Sequence, residues 1–249
     1  MSKLAIEIDR YHSRISVIGT ESTQVFDVLF NDLQDHRCIE QLESAFSEHK
    51  IKDASHENYH LYWFGNNSTL LPENLFQEGE KDHFYELCFG KPQADRKVVF
   101  DRIHIAGIAN VYELPNWAEN FFTSVFPKIQ IRHEGSFILE KLSETKLEGL
   151  QIILSLHKEH FLLAISKSTA LLYYATFDYQ FADDIVYHLM FTLQQKELVN
   201  QKGRLTMYQG TGTEKELRLS LTDSFGKISE LSGLEVDTRD YTNIAELCE

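Results

Sequence analysis

The sequence predicts an α/β protein of two domains, each a mixed sheet flanked by helices. Three observations lead there. The chain has 249 residues, enough for one large domain or two smaller ones at roughly 100–200 residues each. Its hydrophobic share of 43% is that of a globular chain, and charged or polar residues interrupt every apolar run before the ~18–20 residues a membrane span needs. Each half opens on three short strands and continues helix, strand, helix, an order that suits an antiparallel meander extended by strands on crossover helices.

The first half justifies its elements in turn. Residues 3–9, 14–19 and 24–30 are β-rich runs between polar turns. Residues 32–50 follow with Cys38, Ile39, Leu42, Ala45 and Phe46 on one helical face. Asp32 can cap that helix, and Asp35 favours its N-terminal dipole. Residues 59–65 make a fourth, aromatic strand. Residues 66–106 read as an insertion, with a short helix opening at Leu71-Pro72-Glu73-Asn74 and strands at 84–89 and 97–105 around Gly90-Lys91-Pro92. A strand at 108–114 precedes a helix carrying Trp117, Phe121, Phe122 and Val125, stopped by Pro127. A strand at 129–131 and a helix near 136–142 lead to polar Ser143-Glu144-Thr145-Lys146, where the boundary is placed: one domain over 1–146, the other over 147–249.

The second half begins the same way. Residues 150–156, 161–166 and 171–177 are strands, and 181–199 is a helix with Ile185, His188, Leu189, Thr192 and Leu193 on one face. Asp183 and Asp184 sit in its first turn and complement the dipole. A strand at 204–208, a Gly-Thr-Gly-Thr turn and a helix opening on the capping-box spacing of Thr213-Glu214-Lys215-Glu216 come next. Residues 227–231 and a C-terminal helical stretch finish the chain. Two such units leave an interdomain cleft, a common place for ligands.

Charge and cysteines narrow the function. The net charge of −14 and the lack of any basic run beyond Asp95-Arg96-Lys97 argue against nucleic acid and anionic lipid as partners. Three distant cysteines (Cys38, Cys88, Cys248) point to reduced thiols in a cytoplasm rather than a disulfide framework. Lys3 ahead of a short apolar run broken by Glu7 and Asp9 does not make a signal peptide.

The order of elements resembles the actin-like ATPase superfamily, whose two ribonuclease H-like domains carry this succession around five-stranded sheets. Ala109-Asn110-Val111-Tyr112-Glu113-Leu114-Pro115 and Phe126-Pro127 resemble, more closely, a bacterial family of unknown function with that fold, distantly like the cytoplasmic assembly proteins of type IV pili and type II secretion. The resemblance implies an Asp-x-Gly hairpin in each domain, where glycine lets backbone approach phosphate and the acid orients a metal-bound water. Here the first hairpin reads Asp9-Arg10-Tyr11 and the second Ser155-Leu156-His157. Tyr11 and His157 stand where glycine would, and Ser155 replaces the acid. The adenosine turn keeps Gly210 and Gly212 with Thr211 between them. The expectation is a cytoplasmic pseudo-ATPase, a scaffold for a protein partner with no cofactor, ATP hydrolysis and membrane insertion both unexpected. A nucleotide or small-anion sensor in the cleft is the alternative.

His56-Glu57-Asn58-Tyr59-His60 matches H-E-x-x-H, a zinc-hydrolase pattern when both histidines share a helical face. The sequence from His60 to Gly65 reads instead as a strand, where residues four apart lie ~13 Å from each other. Glu80 and Glu86, the imaginable third ligands, lie in no convincing helix, so no metal is expected. His157 and His160 flank a turn, a solvated pair rather than ligands. Cys38 and Cys88 fit core-facing positions. Tyr59, Tyr62, Trp63 and Phe64 line both faces of their strand.

Overall fold

The computed structural model describes residues 2–30, 35–144, 149–168, 170–209, 215–232 and 234–237. They form two compact units that divide between Phe137 and Ile138. In the first, β1 (Lys3–Ile8), β2 (His12–Ile18) and β3 (Thr23–Leu29) precede α1 (Asp35–Glu48) and β4 (Asn58–Trp63). An inserted module follows: β5 (Ser68–Pro72), α2 (Lys81–Phe89), β6 (Arg96–Ile103) and β7 (Ile108–Pro115). Then come α3 (Asn116–Val125), β8 (Gln130–His133) and α4 (Glu134–Glu144). The second unit holds β9 (Leu150–Leu156), β10 (His160–Lys167), β11 (Ala170–Asp178), α5 (Ala182–Gln195), β12 (Gly203–Gln209), α6 (Lys215–Ser232) and β13 (Leu234–Asp237).

Both main sheets have five strands in equivalent order, β3-β2-β1-β4-β8 and β11-β10-β9-β12-β13. The first three strands of each pair antiparallel, and the rest are parallel. This is the predicted α/β class. Period-two alternation gives each sheet one strongly apolar face. In the first, Leu4, Ile6, Ile8, Ile15, Leu61 and Trp63 meet Leu42 and Phe46 of α1 and Phe121 and Phe122 of α3. In the second, Ile152, Leu154, Phe161, Leu163 and Leu205 meet Ile185 and Leu189 of α5 and Leu221 and Phe225 of α6. Burying each such side chain stabilises the fold by about 1.5–3 kcal/mol before entropy is counted. Gly203 lets β12 close on β9, because a Cβ there would lie 2.3 Å from the Leu150 carbonyl oxygen.

Several local expectations change. Residues 84–89 are helical, within α2. The run has no β-branched residue to favour a strand, Tyr85 points inward at 1% exposure, and Gly90 ends the helix at φ 79° with its amide on the Glu86 carbonyl. Residues 71 and 72 end β5 instead of starting a helix, and Pro72 sits at the last position of an edge strand, which needs no further donor. Cys38 is buried as expected, but Cys88 is exposed, its thiol 3.6 Å from the Thr69 hydroxyl. Residues 227–231 belong to α6. The division inside α4 precedes the boundary read from the polar segment ending at residue 146. Asp32, Thr213 and the C-terminal helical stretch beyond residue 237 lie outside the described residues, as does Cys248. Among the described residues no helix is long and apolar enough to cross a membrane.

Candidate functional site

The first hairpin leaves β1 at Ile8 and re-enters the sheet at His12. Asp9 is 4% exposed. Its Oδ1 accepts the amides of Tyr11 at 2.6 Å and His12 at 2.7 Å, while its own amide donates to the His12 carbonyl at 2.9 Å. This is an Asx-type turn in which the carboxylate replaces a backbone acceptor. Tyr11 adds a carbonyl that accepts the Phe30 amide at 2.9 Å and a ring 5.5 Å from the Arg10 guanidinium. The carboxylate thus closes its own loop, and Tyr11 stands at the hairpin position where the resemblance expects glycine.

The equivalent hairpin, between β9 and β10, closes through the His157 amide on the His160 carbonyl at 2.9 Å. Ser155 and His157 are fully buried. The Ser155 hydroxyl and His157 Nε2 are 3.4 Å apart, a long contact. The His157 and His160 rings stack at 4.5 Å, so His157 is a packed histidine and not the solvated turn residue the sequence suggested. Tyr179 O–H donates to the His157 carbonyl. Gly210 and Gly212 of the third element lie outside the described residues.

The parallel strands β1, β4 and β8 end in one row, with Ile8, Trp63 and His133 in register. Asp9, Phe64 and Glu134 therefore follow at one end of the sheet, with Gly65 one residue beyond Phe64. A Cβ on Gly65 would lie 2.4 Å from Trp63 Nε1, so only glycine fits against that indole. Beside this end is a polar cluster that sequence reasoning missed. Asp101 accepts the Tyr112 hydroxyl at 3.2 Å and the His133 amide at 2.8 Å. Asn110 donates to Ser136 at 2.9 Å. His133 Nδ1 accepts the Gly135 amide at 2.9 Å, which leaves Nε2 as donor to the Gly65 carbonyl at 3.0 Å. Burial pushes Asp101 above the usual carboxylate range and Tyr112 well above the usual phenol. These bonds tie β6, β7, β8 and the start of α4 together, while Asn110 Oδ1 is buried without a hydrogen-bond partner among the described residues. Asn110 and Tyr112 belong to the stretch that carried the family resemblance, and their alternation with Val111 and Glu113 was the one available signal.

His56 and His60 are not brought together. His56 precedes β4, its Nδ1 2.8 Å from the Ser2 hydroxyl, and His60 lies within β4 opposite Ala5 and Gln130. The extended chain from residue 58 onward is the predicted strand. Burial holds both imidazoles below their usual range, His60 further opposed by Arg132 and Lys3. Glu80 and Glu86 sit in the inserted module, Glu80 in a short 3-10 turn and Glu86 in α2. Among the described residues no three His, Cys, Asp or Glu side chains cluster to hold a metal. Asp184 accepts the Gln180 and Phe181 amides, both at 2.9 Å, which holds it below the usual carboxylate range and explains the Asp183-Asp184 pair as a helix start.

Residues 1–225 match the family described as Protein of unknown function (DUF3822), and the chain belongs to that family. No curated protein matches it in sequence. Among solved structures, a Bacteroides thetaiotaomicron protein with an actin-like ATPase fold and unknown function superposes with a TM-score of 0.79 at 14% identity, covering 99% of this chain and 94% of that one. The PilM-PilN type IV pilus biogenesis complex gives 0.53 at 12% identity, covering 96% and 88%. The fold is that of an actin-like ATPase, as the order of elements implied.

Proposed function

We propose that this member of the DUF3822 family is a non-hydrolytic, cytoplasmic protein that acts by holding a protein partner. One observation carries the reading: both hairpins carry a bulky residue where the resemblance to actin-like ATPases leads one to expect glycine. Tyr11 occupies one such position and buried His157 the other. The surviving acid, Asp9, is bonded to the amides of Tyr11 and His12. A carboxylate so used has one oxygen fixed by backbone, which opposes its reorientation toward a metal-bound water. The likeness to PilM, a component of a pilus biogenesis complex, supports an assembly role by analogy of fold.

Titration calorimetry with ATP, ADP and Mg²⁺, paired with a phosphate-release assay, tests this. The expected result is no turnover above the blank. Turnover that disappears in Asp9→Asn would falsify the reading, and binding without turnover would favour a nucleotide sensor.

A further inference from the structure

We propose that the second unit pairs with a second copy of this chain through the outer edge of β11 and the aromatic side of α5. This goes beyond the proposed function and does not depend on the state of the nucleotide hairpins. β11 ends its sheet, and among the described strands it pairs with β10 alone. Its nine residues contain no Pro or Gly and only one charge, at the last position. Edge strands are normally blunted by charge, proline or a bulge, because their open backbone recruits other strands. The equivalent edge, β3, carries Asp27, which is ion-paired to Arg14 at 2.8 Å and lies 3.3 Å from His12 Nε2. β11 has one irregularity, between Leu171 and Tyr173, and leaves a regular edge from Tyr173 to Asp178.

The helix above that edge is aromatic on its outer side. α5 runs back along β11, with His188 stacked on Phe177 at 4.3 Å and Lys196 over Tyr173 at 5.6 Å. Ile185, Leu189 and Leu193 point into the core. Phe191, three residues beyond His188, falls on the same side of the helix as His188, and Phe181 caps the helix start in extended backbone. Phe181 is 69% exposed, Tyr187 61% and Phe191 48%, and Tyr187 stacks on Phe191 at 5.8 Å. Exposed aromatics beside a strand whose edge is nearly uncharged and regular from Tyr173 to Asp178 are what a pairing surface offers.

Charge selects the occupant. The β11–α5 layer is acidic at one end, with Asp183 and Asp184 at the start of α5. The other end carries Lys167 and Lys196 against Glu197. Antiparallel pairing of β11 with its own copy brings each acidic end to the partner's basic end, twice by symmetry, and joins two five-stranded sheets into one. A parallel neighbour would set like ends together.

Sedimentation of the full-length chain from about 1 to about 100 µM should show a species of twice the chain mass. Phe191→Glu should raise its dissociation constant at least about tenfold. Tyr187→Asp should do the same, with circular dichroism reporting the fold of each. Asp183→Lys should weaken the dimer, and adding Lys196→Asp in the same chain should restore it, a rescue that no unrelated partner would give. A monomer throughout the range overturns the proposal, as does a dimer indifferent to Phe191→Glu and Tyr187→Asp. Neither result bears on ATP turnover, so this proposal and the non-hydrolytic reading fail separately.

Discussion

The two hairpins occupy the same place in two units of equivalent strand order, yet they are held by different chemistry. Between β1 and β2 a carboxylate gathers two amides at 2.6 and 2.7 Å. Between β9 and β10 a buried imidazole stacks on a second ring, and its contact with Ser155 is long at 3.4 Å. The first hairpin is closed by a charge-assisted acceptor and the second by packing. The presence of Asp9 is therefore accounted for by the turn it closes, without any role in catalysis being needed.

Unequal substitutions in the two units can break or sharpen that contrast. The largest effect should come from the cores. Phe46 packs on Phe121 at 5.9 Å and Phe126 at 5.5 Å, so Phe46→Ala should cost the first unit about 4 kcal/mol, and Leu189→Ala should cost the second about 3 kcal/mol. Denaturant unfolding should then show different transitions moving in the two variants; one common shift would mean the units do not unfold separately. Next come the hairpins. Asp9→Ala strands two buried-side amides and should cost about 3 kcal/mol, whereas Ser155→Ala should cost less than about 1 kcal/mol. Equal losses would erase the distinction between an acceptor-closed and a packed hairpin. His157→Gly should destabilise by about 2 kcal/mol without creating ATP turnover.

The smallest effect is a pH dependence confined to the first unit. Hydrogen bonding from His12, aided by Arg14, holds Asp27 at about 2. A carboxylate depressed in the folded state stabilises it above its unfolded pKa, and that contribution fades as pH falls from about 4 to about 2. The Asp27 side chain is 47% exposed, so solvent screening reduces the contribution to about 1 kcal/mol. Asp27→Asn should flatten that part of the stability curve; an unchanged curve would remove Asp27 from the account.

Much of the fold was legible because it rests on local alternation repeated in one order. β9 was read to the residue, since seven consecutive positions are buried between a glycine and a turn. α2 was misread because Phe84 to Phe89 is a short apolar run, and such runs fit either period. Of the site, Tyr11, Ser155 and His157 are plain in the chain as departures from the hairpin pattern the resemblance implies, but the turn that Asp9 closes is not, since an Asx turn and a metal-orienting acid share one residue type. The Asp101, Asn110, Tyr112, His133 and Ser136 cluster draws on four elements, and no local spacing brings them together.

The division between Phe137 and Ile138 falls within one helix, and this governs how the protein can be dissected. Ile138, Leu139 and Leu142 are buried, so a fragment that stops at Phe137 loses most of α4, and one that starts at Ile138 lacks its first turn. Separate expression of either half calls for the whole helix on one fragment.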